Sequence, residues 1–403
     1  MADIRSYLRE KKKMENEQSG SRQGGYKQKI MKYKLTHVYR FLLVLIVIVA
    51  VIVLVILQYK QHVYTGHEVL AVVERERVAG TRDLRLGSSI LTYSKDGAHC
   101  TDSKGKVTWN QTYEFQDAII ATCGETVAIA DYNGRTIYVQ NTKSLISQIS
   151  TTMPIREVTV SAAGYVTAVL DGQDVTWINT YDPSGELVFQ GQARMSDTGY
   201  PEAISLSPDG EMLCVAYWYL NAGLIKTDIA FYNFGEVGQN NSDFLVSANS
   251  YTDMIVPQVC FMNNSTAFAV GDNRLMIYAG EHKPVSKAEH LLNEEIFAVY
   301  YSEKYIGLVF RSEVAEHLYR MDVYDTTASK KGSFYIDIEY TDIFFGKDNF
   351  VAYNETECMI MNLSGVEKFN GTFGKTVRLM LPADGAYKYT LVTDDSIETI
   401  QLK

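Results

Sequence analysis

Short β-forming segments separated by turn residues recur along this chain from about residue 80 to its end. In the clearest stretch, four such runs lie between residues 118 and 149, with turns at Gly124 and Asn133-Gly134. The same order of runs and turns restarts near residues 157, 203, 258, 296, 342 and 377. An interval of about 43 residues is typical of repeats in which each unit folds into one small sheet. A four-stranded sheet of this kind cannot bury both of its faces alone, so several must stack around an axis.

The number of repeats sets the size of the ring. Six units fit between residues 116 and 375, so residues 81–403 hold between seven and eight. Both ends are incomplete, since residues 81–114 and 376–403 supply about three strands each. A ring closes most simply when strands from opposite ends of the chain complete one blade and leave no free edge. We therefore expect an all-β fold, a seven- or eight-bladed β-propeller with eight favoured.

A continuous apolar run precedes the repeats. Phe41 to Leu57 is seventeen residues long and contains no Gly, Pro or charge. At about 1.5 Å per helical residue the run covers roughly 25 Å, and flanking aromatic residues extend it to bilayer thickness. It is apolar all round, whereas a buried core helix of this length normally shows one polar stripe. The run predicts a single transmembrane helix.

The charges beside this run predict its orientation. The Lys and Arg residues that flank it on the amino-terminal side are Lys27, Lys29, Lys32, Lys34 and Arg40, while Lys60 is the only Lys or Arg in the next fifteen residues. This bias keeps the amino terminus in the cytoplasm and sends the rest of the chain across the membrane. A cleaved signal peptide is the competing interpretation, but the run is long and no small-residue cleavage site follows it.

These features divide the chain into four parts. Residues 1–35 are predicted to be a basic, flexible cytoplasmic tail, 36–60 a transmembrane helix, 61–80 a membrane-proximal linker and 81–403 an extracytoplasmic propeller. Residues 1–40 carry a net charge of +7 and the whole chain −10, so the remainder carries −17. An acidic large domain is a poor partner for nucleic acid, and none is expected.

Several segments resemble known propeller repeats. Ser94-Lys-Asp-Gly97, Thr101-Asp102, Gly105-Lys106-Val107 and Trp109 resemble one repeat of the quinoprotein-type propeller. Tyr181–Phe189 resembles a second copy with Phe in place of Trp, and Ser207-Pro-Asp-Gly-Glu211 is a phrase shared with WD40-like blades. The plan of a short basic tail, one span and an acidic propeller resembles uncharacterised membrane-anchored propellers of Gram-positive bacteria. That resemblance implies the fold and the location, and it implies no chemistry.

Sequence patterns for catalysis or metal binding are lacking, so we expect neither an enzyme nor a cofactor. Quinoprotein dehydrogenases usually carry an adjacent Cys pair, and this sequence has none. It also lacks Cys-x-x-Cys, His-x-x-x-His and Gly-x-Ser-x-Gly, the spacings typical of zinc sites and of a nucleophilic serine. Cys100 and Cys123 are candidates for a disulfide on neighbouring strands, a pairing that the sequence leaves open.

The remaining signals concern the surface. The chain has 28 Tyr and 16 Phe, many within strands such as Phe297–Tyr301. Core packing accounts for most of them, and some are expected to ring the mouth of the propeller, where aromatic side chains serve recognition. The segment 235–250 is longer and more polar than other turns, which makes Glu236, Asn240, Asn241 and Asp243 the predicted partner-binding loop. A tolerated surface insertion is the alternative for this loop.

Together these features predict a membrane-anchored interaction scaffold with envelope or membrane proteins as partners. The alternative is a sensor that binds a small ligand or glycan in the axial pocket. The sequence leaves the partner and the oligomeric state open.

Overall fold

A computed structural model describes residues 4–241 and 243–403, without the side chains of residues 16–30, 32, 36, 56–57 and 59–60. The chain forms two compact units, Met1–His62 and Val63–Lys403.

The amino-terminal unit consists of one helix, α1 (Ile4–Gln61). Within it, Tyr33–Val55 is long and apolar enough to cross a membrane, with a mean hydropathy of 3.2 and none of its described side chains buried. The backbone is already helical over the part of 1–35 that the structure describes, for which the sequence predicts a flexible tail. Its many Lys, Arg, Glu and Gln residues are good helix formers, which favours helical backbone there. Lys34 and Arg40 are exposed, whereas the side chains of Lys27, Lys29 and Lys32 lie outside the described residues.

The second unit contains eight antiparallel sheets of four strands, which confirms the propeller and settles its blade number at eight. Each of blades 1 to 7 uses four consecutive strands. In chain order, the strands of blades 1 to 4 are β2 (Arg82–Leu86), β3 (Ser89–Tyr93), β4 (Gly97–Thr101), β5 (Val107–Thr112), β6 (Ala118–Cys123), β7 (Thr126–Asp131), β8 (Thr136–Asn141), β9 (Leu145–Ser150), β10 (Ile155–Val160), β11 (Val166–Asp171), β12 (Thr176–Tyr181), β13 (Leu187–Ala193), β14 (Tyr200–Leu206), β15 (Met212–Asn221), β16 (Leu224–Asn233) and β17 (Leu245–Thr252).

Blades 5 to 7 repeat this order, and blade 8 combines the two ends of the unit. The remaining strands are β18 (Gln258–Asn263), β19 (Thr266–Val270), β20 (Arg274–Ala279), β21 (Val285–Leu291), β22 (Ile296–Tyr301), β23 (Tyr305–Arg311), β24 (Tyr319–Asp325), β25 (Lys330–Ile336), β26 (Asp342–Phe345), β27 (Asn349–Tyr353), β28 (Glu357–Asn362), β29 (Glu367–Thr372), β30 (Leu379–Pro382), β31 (Lys388–Val392), β32 (Ser396–Leu402) and β1 (His67–Glu74).

One turn recurs between the third and fourth strands of several blades. It explains the repeated Asp-x-x-Gly pattern, as in Asp182-Pro-Ser-Gly185. In blade 3, the Asp182 carboxylate accepts hydrogen bonds from the amides of Ser184 and Glu186, at 2.9 and 3.0 Å. Gly185 completes the turn with a φ of +89°, a conformation that L side chains rarely adopt. Asp102, Asp325 and Asn362 cap the corresponding turns of blades 1, 6 and 7 in the same way.

The hydrophobic core is divided among the seams between blades. Each of the eight pairs of neighbouring blades shares one cluster of buried apolar side chains. The cluster between blades 8 and 1 contains Ile90, Leu379, Leu381, Val392 and Ile397. The ring is closed, because each blade packs against a neighbouring blade on both of its sides.

Ring closure corrects the predicted linker 61–80. Residues 67–74 form β1, which pairs with β32 in antiparallel register from His67↔Leu402 to Glu74↔Ser396. Strands from opposite ends of the chain therefore complete one blade as predicted, but the amino-terminal strand comes from the segment assigned to the linker. The apolar run Val69–Val73 is a strand signal that was available in the sequence.

The first strand of each blade is innermost, since first strands of neighbouring blades approach each other. We call the end where first strands begin the upper face; it carries the loop before each first strand and the loop between second and third strands. The opposite, lower face carries the loops between first and second and between third and fourth strands. The two faces present different sets of side chains to a ligand or partner.

Candidate functional site

The predicted partner-binding loop lies on the lower face of blade 4, between β16 and β17. Glu236, Asn240, Asn241 and Asp243 are all exposed, and a 3-10 turn, Gly238–Asn240, lies between them. The Asn240 side chain donates to the Glu236 carbonyl oxygen at 3.0 Å, and the Asn241 side chain donates to the Leu245 carbonyl oxygen at 2.8 Å. These four residues lie in one exposed loop, and its role in binding a partner stays a prediction.

This loop is folded onto the blade. Phe234 and Phe244 pack on Phe189 beneath it, with ring centroids 5.3 and 5.9 Å from that of Phe189. Gly238 is buried against the Asn233 carbonyl oxygen, and a Cβ atom at this glycine would lie 1.6 Å from that oxygen. The described residues of the loop are therefore anchored to the blade by an aromatic base and a buried glycine.

Three inner strands on the upper face share a second feature, a β-bulge at the start of the strand. The pairing register shifts at Arg156 in β10, at Glu202 in β14 and at Phe297 in β22. A bulge bends its strand and re-aims the side chain of the extra residue, and bulges are frequent beside functional sites. On the upper face, the bulges therefore direct the side chains of Arg156, Glu202 and Phe297 away from the regular in-and-out alternation of the strands.

Around Arg156 the bulge supports a polar cluster. The guanidinium donates to the carboxylate of Asp171, to the side-chain oxygen of Asn133, and to the Tyr132 hydroxyl at 3.0 Å. The next residue, Glu157, is largely desolvated, which raises the pKa of its carboxyl to about 7, and the like charge of Glu202 acts in the same direction. Arg156 is therefore already satisfied by partners from blades 2 and 3, so this cluster is a structural network between those two blades.

At Phe297 the bulge borders a cleft of about 600 Å³ on blade 6. The cleft lies between residues 293–297, which lead into β22, and residues 310–313, which leave β23. Its charged lining consists of Glu294, Glu295, Glu313 and Arg311. The adjoining segment 312–318 is the longest of the eight loops that join a second to a third strand. We call this cleft and its loop the blade 6 site.

Aromatic rings and one guanidinium build the floor of the blade 6 site. Phe297 is 47% exposed, and its ring centroid lies 5.2 Å from that of the buried Tyr319. The guanidinium carbon of Arg311 lies 4.5 Å from the Phe297 centroid and 5.3 Å from the Tyr319 centroid. Cation–π contacts of this kind hold the arginine in place without an ion pair. Tyr340 packs edge-on against Tyr319 and supports the floor from blade 7.

Two tyrosines at this floor, Tyr319 and Tyr300, remain protonated near neutral pH. The Tyr319 hydroxyl donates to the Glu339 carboxylate at 2.6 Å, and this hydrogen bond raises the pKa of Tyr319. Burial, reinforced by the charge of Asp342, raises the pKa of Tyr300 to about 12. Both tyrosines therefore stay neutral, and the charge of the site is carried by its glutamates and by Arg311.

The blade 6 site was only partly visible in the sequence. Phe297 belongs to an aromatic strand that the sequence made conspicuous, without indicating which aromatic residues reach the propeller mouth, and Arg311, Glu295 and Glu313 carried no motif. The unusual length of the loop 312–318 and the Ser-Glu-Val-Ala-Glu composition within it are signals that could have identified the site. Their proximity to Phe297 depends on the pairing of β22 with β23.

The five cysteines are all free in the structure. Cys100 lies in blade 1 and Cys123 in blade 2, and the disulfide considered for them is not formed.

Comparison with solved structures returns matches at low sequence identity. The computationally designed Ika8 protein aligns with a TM-score of 0.50 and 9% identity, over 85% of this chain and 100% of its own. BamB from Moraxella catarrhalis aligns with a TM-score of 0.45 and 10% identity, over 83% of this chain and 100% of its own. Hsv2p from Kluyveromyces lactis aligns with a TM-score of 0.47 and 10% identity, over 70% and 92%. Likeness at this level concerns the fold alone.

Comparison with curated proteins finds no match. The model of a family of unknown function (DUF5711) matches residues 60–402, a range that includes all 32 strands.

Proposed function

The chain belongs to the family of unknown function DUF5711, and we propose that it is a membrane-anchored, extracytoplasmic scaffold. In this proposal the propeller binds one or more proteins of the cell envelope and holds them near the membrane. The fold fits such a role because a closed ring of eight sheets offers two broad faces built from the loops between strands. The proposal assigns the chain no catalytic reaction and no cofactor.

The observation that carries the proposal is the exposed aromatic and arginine surface of the blade 6 site. Aromatic residues and Arg are enriched at the energetic centres of protein interfaces. Phe297 is turned outward by a bulge and braced by Arg311 and Tyr319, so a partner meets it already in position. Preorganisation lowers the entropy lost on binding.

The anchoring part of the proposal is supported by α1. Its segment Tyr33–Val55 is long and apolar enough to span a membrane, and the basic residues lie before this segment or within its first eight residues. An uncleaved anchor with this charge bias keeps residue 1 in the cytoplasm and places the propeller outside.

In-cell photocrosslinking tests the scaffold proposal. A photoreactive benzoylphenylalanine is placed at Val314 on the upper face, at Val237 on the lower face, or at the exposed Gln148 on an outer strand as a control. Val314 and Val237 are equally exposed, at 43% and 41%, so differences in yield report on the partner. We expect a discrete protein adduct from one face and none from Gln148. Absence of protein adducts from both faces would contradict the proposal.

The alternative, a small ligand or glycan bound in the axial pocket, stays a prediction from the sequence. A thermal-shift screen of the full chain against sugars, peptides and muropeptides discriminates between the two. Stabilisation by one compound class, together with no crosslinked protein, would favour the sensor.

A further inference from the structure

We infer that the blade 6 site is the docking surface for a partner segment in which a Lys or Arg lies beside an apolar side chain. This inference rests on the proposed scaffold function and names the chemistry of the partner at that site. Two properties of the site carry it, an exposed apolar surface and an excess of unpaired negative charge.

The apolar surface is concentrated at one end of blade 6. Phe297 lines the cleft and is 47% exposed, and Val314 and Leu318, in the adjoining loop 312–318, are each 43% exposed. Exposed apolar side chains are ordinary when scattered, but several grouped around a cleft mark an interaction site. One apolar side chain of a partner fits this surface by packing on the Phe297 ring next to Arg311.

The charge around the cleft favours a cation. Of the three glutamates that line it, Glu294 is paired with Arg320 at 2.8 Å. Glu295 and Glu313 are exposed and form no ion pair with any residue that the structure describes. Arg311 lies over the rings of Phe297 and Tyr319 and forms no ion pair with either carboxylate among the described residues. Its charge offsets only one of the three glutamates that line the cleft, so the lining stays negative.

The charge of the whole chain acts in the same direction. Residues 41–403 carry a net −17, so a basic segment is attracted to the propeller before it makes contact. An acidic segment would be repelled by the propeller and would meet Glu295 and Glu313 at the cleft. Charge complementarity therefore selects a basic partner segment, and the exposed Phe297 selects one that is also apolar.

The test uses the full chain in cells, with the photoreactive residue at Val314. The double variant Glu295→Lys/Glu313→Lys reverses the charge of the cleft, and Glu186→Lys/Glu303→Lys makes the same change at two exposed lower-face positions outside the predicted partner-binding loop, as a matched control. We expect the first pair to lower the adduct yield at least tenfold and the second pair to leave it unchanged. All four positions are exposed, so thermal unfolding of the purified variants should match the parent.

Substitutions of the aromatic floor test the apolar half of the inference. Phe297→Ala should lower the adduct yield at Val314, and Phe297→Tyr should retain it because the ring is preserved. Mass spectrometry of the adduct should map to a partner segment with Lys or Arg within a few residues of Leu, Ile, Val or Phe.

The outcomes separate this inference from the scaffold proposal. Adducts at Val237 but none at Val314 would overturn the inference and leave the scaffold proposal standing, whereas no adduct at either position would contradict both. The inference would also be overturned if the adduct yield did not change in Glu295→Lys/Glu313→Lys. The same holds if the adduct mapped to an acidic segment or to a lipid.

Discussion

Glu157 shows how a single side chain can link this fold to pH. It lies on the innermost strand of blade 3, next to the bulge at Arg156, where burial raises the pKa of its carboxyl to about 7. Glu202, on the neighbouring inner strand, adds a like charge. The folded protein therefore holds a proton at Glu157 that the unfolded chain releases in mildly acidic solution. Stability from this group is complete below about pH 4.5 and is lost as the pH rises through about 7.

We expect Glu157→Gln to remove this pH dependence. Between pH 5 and pH 8 the parent protein should lose about 3 kcal/mol more unfolding free energy than the variant, from about 1.4 kcal/mol per pKa unit. Chemical denaturation of the full chain in detergent at both pH values measures the difference. Glu202→Gln, which removes only the like charge, should have a smaller effect of the same sign. Equal pH dependence in the parent and in Glu157→Gln would show that the carboxyl ionises normally in the folded state.

At the scale of elements, β1 decides whether the ring is closed. Blades 1 to 7 are built from consecutive strands, but blade 8 needs a strand that comes from more than 300 residues earlier in the chain than β32. Val73 in this strand packs against the cluster between blades 8 and 1, while its neighbour Val72 is 58% exposed. The pleat of one strand therefore provides both a seam residue and a surface residue.

Val73→Asp should destabilise the propeller, because it places an unpaired charge against the apolar seam. We expect a loss of about 2–4 kcal/mol, the range found when a core contact is lost and a polar group is buried without a partner. Val72→Asp, one position away, should change stability by less than about 0.5 kcal/mol. Denaturation midpoints measure the stability of both variants, and the rate of limited proteolysis in the segment that follows residue 61 gives a second measure. Similar midpoints for the two variants would mean that β1 contributes little to closure.

At the scale of the whole molecule, the charge pattern predicts a topology that labelling can test. The amino-terminal forty residues carry +7 and the rest −17, on opposite sides of an apolar run. With an uncleaved anchor, Lys11→Cys should lie inside the cell and Lys143→Cys, an exposed position on the lower face of blade 2, outside.

A membrane-impermeant maleimide applied to intact cells should therefore label Lys143→Cys and leave Lys11→Cys unlabelled until the cells are lysed. The parent protein provides the background, since its own five cysteines are free. Labelling of Lys11→Cys in intact cells would show that the amino terminus lies outside the cell, which is opposite to the predicted topology. A labelled Lys143→Cys protein that has lost residues 1–60 would indicate a cleaved signal sequence.

Local sequence determined the eight-bladed architecture to within one blade and the starts of most inner strands to within three residues. Strand-forming runs, turn glycines and Asp or Asn caps act over four to ten residues, so their pattern can be read directly, and the turn at Asp182 forms as its Pro-Ser-Gly sequence implies. The polar segment 235–250 could be singled out for the same reason, since its length and composition are local properties, and its binding role stays a prediction. The apolar run within α1 was equally plain.

Tertiary structure alone decided the pairing of β1 with β32 and the assembly of the blade 6 site. The register of distant strands depends on which surfaces remain unburied once the other seams have formed, and no local pattern records that. Phe297, Arg311 and Tyr319 come from three strands, and they meet because a bulge in β22 turns one ring outward over its neighbours. The sequence by itself therefore determined the repeating unit, while side-chain packing between units decided where the ring closes and where its surface can bind.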